Sequence, residues 1–199
     1  MTDTPHGSQE ELYSGPLPWD IGRPQPAFLD LAQAGVIQGR VLDVGCGTGE
    51  HTLMCAALDL DATGVDLAPK AINLAQDKAR ERGLTARFLR HNALRLAELG
   101  ESFDTVLDSL VFHIFSDDNR AAYVESLRSA TKPGGRLFLL CFSDRQPGEG
   151  EYGPRRVTQQ EITAAFAEGW KLDSIKAGTI DNTVIPDGVL AWLVALTRS

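Results

Sequence analysis

Basic residues are in deficit: 19 Lys and Arg stand against 27 Asp and Glu, a formal net charge of -8. A surface of that sign repels phosphate backbones and argues against nucleic acid or an anionic membrane as a partner. Cysteine is scarce, with only Cys46, Cys55 and Cys141. This odd, scattered set is no disulfide framework, has no metal-ligand spacing, and fits the reducing cytoplasm. No apolar run approaches the ~20 residues of a membrane span. The longest, Val189 to Leu196, is strand-sized. Met1 to Leu12 is polar and acidic, without the apolar segment of a signal peptide. Internal repeats and coiled-coil heptads are absent. What remains, with 43% apolar and 23% charged residues over 199 positions, is the composition of one globular domain, not a disordered or fibrous chain.

The chain opens with a loose polar arm and then Pro16 to Pro26, where four prolines forbid a regular helix or central strand. Phe28 to Gly35 reads as a short helix. Apolar runs then alternate with helical patterns. Strands are expected at Arg40–Val44, Thr63–Asp66, Ala86–Leu89, Phe103–Leu107 and Arg136–Phe142. Helices are expected at Glu50–Leu58, from Pro69 to Gly83, and at Asp117–Thr131, the last stopped by a Lys132-Pro133-Gly134-Gly135 turn. Such alternation builds right-handed βαβ units and a parallel sheet. Thr158 to Glu161 spells a capping box. Trp170–Lys176 and Val189–Thr197 are strands with too little chain between them for a crossover helix, so they should pair antiparallel.

The most informative stretch is Asp43-Val44-Gly45-Cys46-Gly47-Thr48-Gly49-Glu50, between the first strand and the second helix. Glycines there permit a tight turn and a close ligand approach, and helix-start N–H groups attract acceptors. A dinucleotide fingerprint wants its third glycine one residue later, where this chain has Glu50. A carboxylate beside a pyrophosphate is repulsive, which disfavours an NAD(P)-dependent oxidoreductase. No Gly-Lys-Ser/Thr follows, so there is no Walker loop.

The order Asp-x-Gly-x-Gly-x-Gly resembles the first motif of class I S-adenosylmethionine-dependent methyltransferases. The resemblance spans about Gly39 to Ser199. It implies an α/β, doubly wound, Rossmann-like sheet of seven strands, mostly parallel with an antiparallel last strand. It implies S-adenosylmethionine as cofactor and S-adenosylhomocysteine as product, with no metal. Carried onto this sequence, it assigns cofactor contacts to Asp43, Gly45, Cys46, Gly47 and Gly49. Asp66 ends the second strand about 20 residues on, where an acid takes ribose hydroxyls, and Leu67 follows it. Asn92 and Ala93 stand where the family often has Asp-Ala against adenine. Asp108 lies beside the methionine half.

The Asn-Pro-Pro-Tyr type tetrapeptide of DNA amino methylation and a Pro-Cys pair are missing. With the short length, this points to a small-molecule substrate. Pro18-Trp19-Asp20-Ile21-Gly22-Arg23-Pro24-Gln25-Pro26 resembles the arm of thiopurine- and tellurite-type methyltransferases, nearest to bacterial relatives that methylate heterocyclic toxins and alkylquinolones. Residues 1–38 are then an arm and lid helix, and 39–199 the cofactor-binding domain. By this resemblance Trp19 stacks on ligand and Arg23 binds a carboxylate or the substrate. The alternative is that Trp19 pins the arm and Arg23 is a surface charge. His113 is the candidate general base, its ordinary titration range being near neutral; otherwise it is a histidine packed between aromatics. Phe112, Phe115, Phe142 and Tyr152 offer an apolar wall for a flat ring. The expected activity is methyl transfer to O, N or S of a small aromatic heterocycle, by a monomer or homodimer. A non-catalytic S-adenosylmethionine-binding protein is the other reading.

Overall fold

In the computed structural model, residues 13, 15, 17–148 and 155–199 are described. After the proline segment, Pro26 occupies the first position of α1 (Pro26–Gln33), where its missing N–H is no loss. There follow β1 (Arg40–Val44), α2 (Glu50–Ala57), β2 (Asp61–Asp66), α3 (Pro69–Arg82), β3 (Arg87–Arg90) and a 3₁₀ segment, Ala93–Leu99. Next come β4 (Phe103–Ser109), a 3₁₀ turn Phe112–Ile114, α4 (Asp117–Ala130) and β5 (Thr131–Phe142). The chain ends with α5 (Gln159–Ala165), β6 (Trp170–Ile180) and β7 (Val189–Arg198).

The strands form one sheet in the order β3-β2-β1-β4-β5-β7-β6. All neighbours from β3 to β5 are parallel, and β7 runs antiparallel between β5 and β6. This is the sheet the family resemblance implied. The reversal of order at β1 and β4 opens a crevice at their carboxyl ends, where open α/β sheets take ligands.

Both faces of the sheet are covered, and β5 shows how. Leu137 and Leu139 pack with Tyr123 and Leu127 of α4 and Ile162 of α5. Phe138 and Leu140, one residue out of phase, pack with Phe28 of α1 and Cys55 of α2 on the other face. A strand buried on both sides must be apolar at every position, as RLFLLCF nearly is. Phe28 is fully buried, which contributes about 2 kcal/mol. The arm helix is thus rooted in the same core as the sheet.

Two strand boundaries differ from expectation by more than two residues. The Lys132-Pro133-Gly134-Gly135 turn lies inside β5 as an irregularity: Phe103 pairs with Thr131, yet Thr105 pairs with Arg136. The strand β6 runs on to Ile180, because ten register pairs with β7 supply the hydrogen bonds that its polar residues do not advertise. The capping box is present, with Thr158 and Glu161 bonding each other's backbone N–H.

Candidate active site

The carboxyl ends of β1, β2 and β4 bring three aspartates together. Asp43, at the end of β1, is 1% exposed. Its Oδ2 accepts from the Thr52 N–H at 3.1 Å and the Thr52 hydroxyl at 2.7 Å. Its Oδ1 is buried with no hydrogen-bond partner among the described residues. Burial raises its pKa to about 7, against the Thr52 bonds; Asp66 and Asp108 add to the rise. Asp66 ends β2 and accepts from Gly47 N–H and Ala68 N–H, both at 2.9 Å. It therefore fixes the glycine loop. Burial holds its pKa above the ordinary carboxylate value despite those two bonds.

The loop is shaped by two glycines that tolerate no side chain. Gly45 has φ +64, and a Cβ there would meet Val111 Cγ2 at 2.4 Å. Gly49, at φ +88, caps α2, and its Cβ would strike Ala75 and Phe88. Between them Cys46 is buried and its thiol pushed well up by burial, so it is a small loop residue and no nucleophile. Glu50 is tied to Lys78 and Arg82 of α3 at 2.8 Å each. The repulsion expected of Glu50 is therefore largely neutralised. Burial would raise its pKa, but the bonds from Arg82 and Lys78 win and hold it low. The Asn92 Oδ1 caps the next segment by accepting from Leu94 N–H at 2.9 Å, with Ala93 half-buried behind it. One acceptor direction on that oxygen is already used. Leu67, beyond Asp66, is partly exposed.

Asp108, at the end of β4, is wholly buried. Its Oδ1 accepts from Val111 N–H (2.9 Å) and Phe112 N–H (3.3 Å), and its Oδ2 from the Tyr123 hydroxyl (2.8 Å). Burial lifts its pKa to about 6, opposed by those bonds. Its oxygens brace the chain after β4, beside which the resemblance puts the methionine half of the cofactor. What they brace is Leu110, a non-glycine residue at φ +72, a conformation that costs about 1–3 kcal/mol. Beyond it Phe112 is fully buried against Phe166.

His113 is 3% exposed. Its ring stacks on Phe142 with centroids 4.6 Å apart and planes 14° from parallel. The Phe142 N–H donates to its Nδ1 at 3.4 Å. Burial, helped by Arg120, lowers its pKa to about 3. A lowered pKa and an Nδ1 that accepts from Phe142 N–H fit the expected general base poorly.

The arm crosses this region. The Tyr13 phenol lies beside Asp66, Cys46 and Asp20, and shares a hydrogen bond with Trp19. Trp19 itself is 42% exposed. Asp20 accepts from the Thr48 hydroxyl of the glycine loop at 3.0 Å, and Lys78 donates to the same hydroxyl. Gln25 exchanges two hydrogen bonds with the backbone of Asp181, and Pro18 O accepts from Thr183 N–H. Arg23, half exposed, pairs with Asp181 of the β6–β7 loop at 2.6 Å. Tyr152 lies outside the described residues. Sequence reasoning missed Tyr13, Asp20, Thr48 and Leu110. Asp20 and Thr48 sat inside motifs already singled out; Tyr13 and Leu110 carried no local signal.

The donor set suits a zwitterionic nucleoside ligand: an unpaired buried carboxylate oxygen for an ammonium, an acid at the end of β2 for hydroxyls, and a loop open to the backbone. An apolar groove of about 380 Å³ lies between α1 and α2, with Glu50 and Arg82 in its lining. Among the described residues no acidic, histidine or cysteine cluster could hold a metal ion. None of their helices is long and apolar enough to cross a membrane.

Comparison with known proteins agrees. The methyltransferase domain family matches residues 41–135. A 2-heptyl-1-hydroxyquinolin-4(1H)-one methyltransferase of Mycobacteroides abscessus is 35% identical, over 83% of this chain and 73% of the relative. A probable thiol methyltransferase of Arabidopsis thaliana is 29% identical over 76% and 69%. A structure solved in work on conversion of a disulfide bond into a thioacetal group during echinomycin biosynthesis is 39% identical, with a TM-score of 0.84, over 92% of this chain and 85% of that one. The magnesium protoporphyrin IX methyltransferase of Synechocystis PCC 6803, solved with bound S-adenosylmethionine, shares the fold at 22% identity and a TM-score of 0.66.

The chain belongs to the S-adenosylmethionine-dependent methyltransferases. It is an enzyme of that class, with S-adenosylmethionine as its methyl donor.

Proposed function

We propose that this enzyme methylates O, N or S of a small aromatic heterocycle, such as a hydroxyquinolone, a phenol or a thiol. The observation that carries the substrate class is the aromatic pair after β4 and β5, in which His113 stacks on the half-buried Phe142. A flat apolar acceptor would have Phe142, the partly exposed member of the pair, to pack against. The hydroxyquinolone and thiol methyltransferases among the relatives support the same class.

The cofactor, when bound, supplies a methyl group on a positively charged sulfur, already activated for displacement. The protein's task is position and a dry site. The free Asp43 Oδ1 would take the ammonium, and Gly45, Cys46, Gly47 and Gly49 would line the methionine side. Asp66 would hold ribose hydroxyls with the lone pairs its two backbone bonds leave. Leu67, Asn92 and Ala93 would flank the adenine. Asp108 acts by holding the β4 turn in shape. Trp19 and the described part of the arm would cover the site, and Phe112 lies buried beside Phe166. We take the enzyme to act in the cytoplasm, as a monomer or homodimer, without nucleic acid or membrane.

Isothermal calorimetry with S-adenosylhomocysteine, followed by radiolabelled methyl transfer to hydroxyquinolones, phenols and thiols, tests this. Labelled product from at least one of these classes is expected. Tight S-adenosylhomocysteine binding with no product from any of them would overturn the substrate class and leave cofactor binding standing.

A further inference from the structure

We infer that the acceptor reaches this site already ionised: His113 donates a hydrogen bond to it from Nε2, and Arg120 supplies the positive charge behind that ring. The substrate is then an acidic O–H, N–OH or S–H compound taken as its anion. This rests on the aromatic acceptor proposed above and narrows it.

The first observation is the direction of one hydrogen bond. The Phe142 N–H points at His113 Nδ1, so that nitrogen contributes a lone pair and the other carries the hydrogen. For Nε2 to serve as a base, the hydrogen would have to move to Nδ1 and face another N–H. An imidazolium would set the same two donors against each other. Stacking on Phe142 keeps the ring from turning away. The nitrogen left free is a donor.

The second observation is an under-satisfied cation. The Arg120 side chain, from α4, is 7% exposed, and its Nε is buried without a partner among the described residues. Its remaining polar contacts are long: 3.4 Å to Phe115 O, 3.4 Å to Asp117 and 3.6 Å to Glu161. The guanidinium lies 4.8 Å from the centre of the Phe112 ring, the residue before His113. A buried charge this loosely paired favours a negative group nearby.

The other ionisable groups around His113 do not supply a base. Asp108 of β4 is engaged by two N–H groups and by Tyr123. The Cys141 thiol of β5 is pushed up by burial. Asp117 and Glu161 of α4 and α5 face Arg155 as well as Arg120. The acceptor's proton goes to bulk water before binding. An anion meeting a sulfonium leaves two neutral products, so no proton needs to enter the protein.

The test is the pH dependence of kcat/KM for ring-substituted acceptors that differ in acidity. In the native enzyme, the midpoint of the rise should follow each acceptor's own ionisation. His113→Phe should lower kcat on the order of 10–100-fold, the worth of a hydrogen bond to a charge, without moving those midpoints. His113→Gln, which keeps a donor, should restore most of that. Arg120→Gln should lower kcat/KM for every acceptor without moving its midpoint, with Arg120→Lys between it and the native enzyme. Thermal melts show which variants are folded, and the native series stands without them. A single midpoint shared by all acceptors and abolished in His113→Phe would overturn the inference in favour of a protein base. No product from any acceptor, with S-adenosylhomocysteine still bound, would overturn the aromatic reading and this inference with it.

Discussion

The carboxyl ends of β1 and β4 each carry a buried aspartate and use it in opposite ways. Asp43 leaves one oxygen without a partner among the described residues, and the loop beside it is glycine at 45, 47 and 49. Asp108 has both oxygens engaged, by two backbone N–H groups and a tyrosine, and the backbone it holds is strained at Leu110. One end keeps a valence open for a ligand. The other spends its acid on its own shape and presents rings instead. The difference teaches that burial and a raised pKa, common to both acids, do not by themselves mark a binding group. The count of satisfied lone pairs separates them.

The two ends touch where Val111 fills the space of a side chain at Gly45, and this yields the largest expected effect. Gly45→Ala combines a left-handed backbone with a contact at 2.4 Å. It should destabilise by about 4 kcal/mol and abolish cofactor binding. Chemical denaturation and calorimetry with S-adenosylhomocysteine would show it. A well-folded, ligand-binding variant would mean that the turn after β4 can yield.

Next in size is the pair that sets the two acids against each other. Asp108→Ala should lose about 3 kcal/mol, because it strands two N–H groups and a buried hydroxyl. Asp43→Asn should change stability by no more than about 1 kcal/mol, yet weaken S-adenosylhomocysteine binding by about 10–100-fold. If the stability costs come out equal, the contrast fails.

The pH dependence sharpens it. The folded pKa of Asp43 lies near 7, above its unfolded value, so the folded state holds a proton that the unfolded chain releases. The contribution of Asp43 to stability is therefore fullest below about pH 4 and is lost as pH rises through about 7. Ligand binding has the opposite sign, since an ammonium needs the carboxylate. Affinity for S-adenosylhomocysteine should climb up to about tenfold per pH unit below about pH 7 and then level, and Asp43→Asn should remove this part of the slope.

The smallest effects concern the arm. Gln25 is buried and makes two bonds to Asp181, whereas Arg23 makes a half-exposed ion pair with the same residue. Gln25→Ala should destabilise by about 2 kcal/mol and Arg23→Ala by about 0.5 kcal/mol. If Arg23→Ala instead raised KM more than tenfold without altering the melting temperature, Arg23 would be restored as a substrate contact.

Much of the β1 end was legible in the chain, because its chemistry is contiguous. Asp43, the three glycines and Asp66 follow one another at spacings set by strand, turn and helix. The β4 end was not. His113 reads as a base in isolation, being a histidine among aromatics after a strand. Only the Phe142 N–H, 29 positions away, decides which nitrogen carries its proton. Arg23 sat in a motif that suggested a ligand, and its ion pair with Asp181 of the β6–β7 loop had no signal in the chain. Glu50 was read by its charge alone, and Lys78 and Arg82 cancelled much of that charge from the next helix.

The sequence by itself determined the class of fold, the order of its elements and the cofactor loop, since periodicity, glycine placement and capping act over a few residues. The tertiary structure decided which groups meet His113 and Asp108, the loose pairing of Arg120 and the seating of the described arm. These depend on which groups meet across the sheet and how far water is excluded, and both are settled only when distant segments pack.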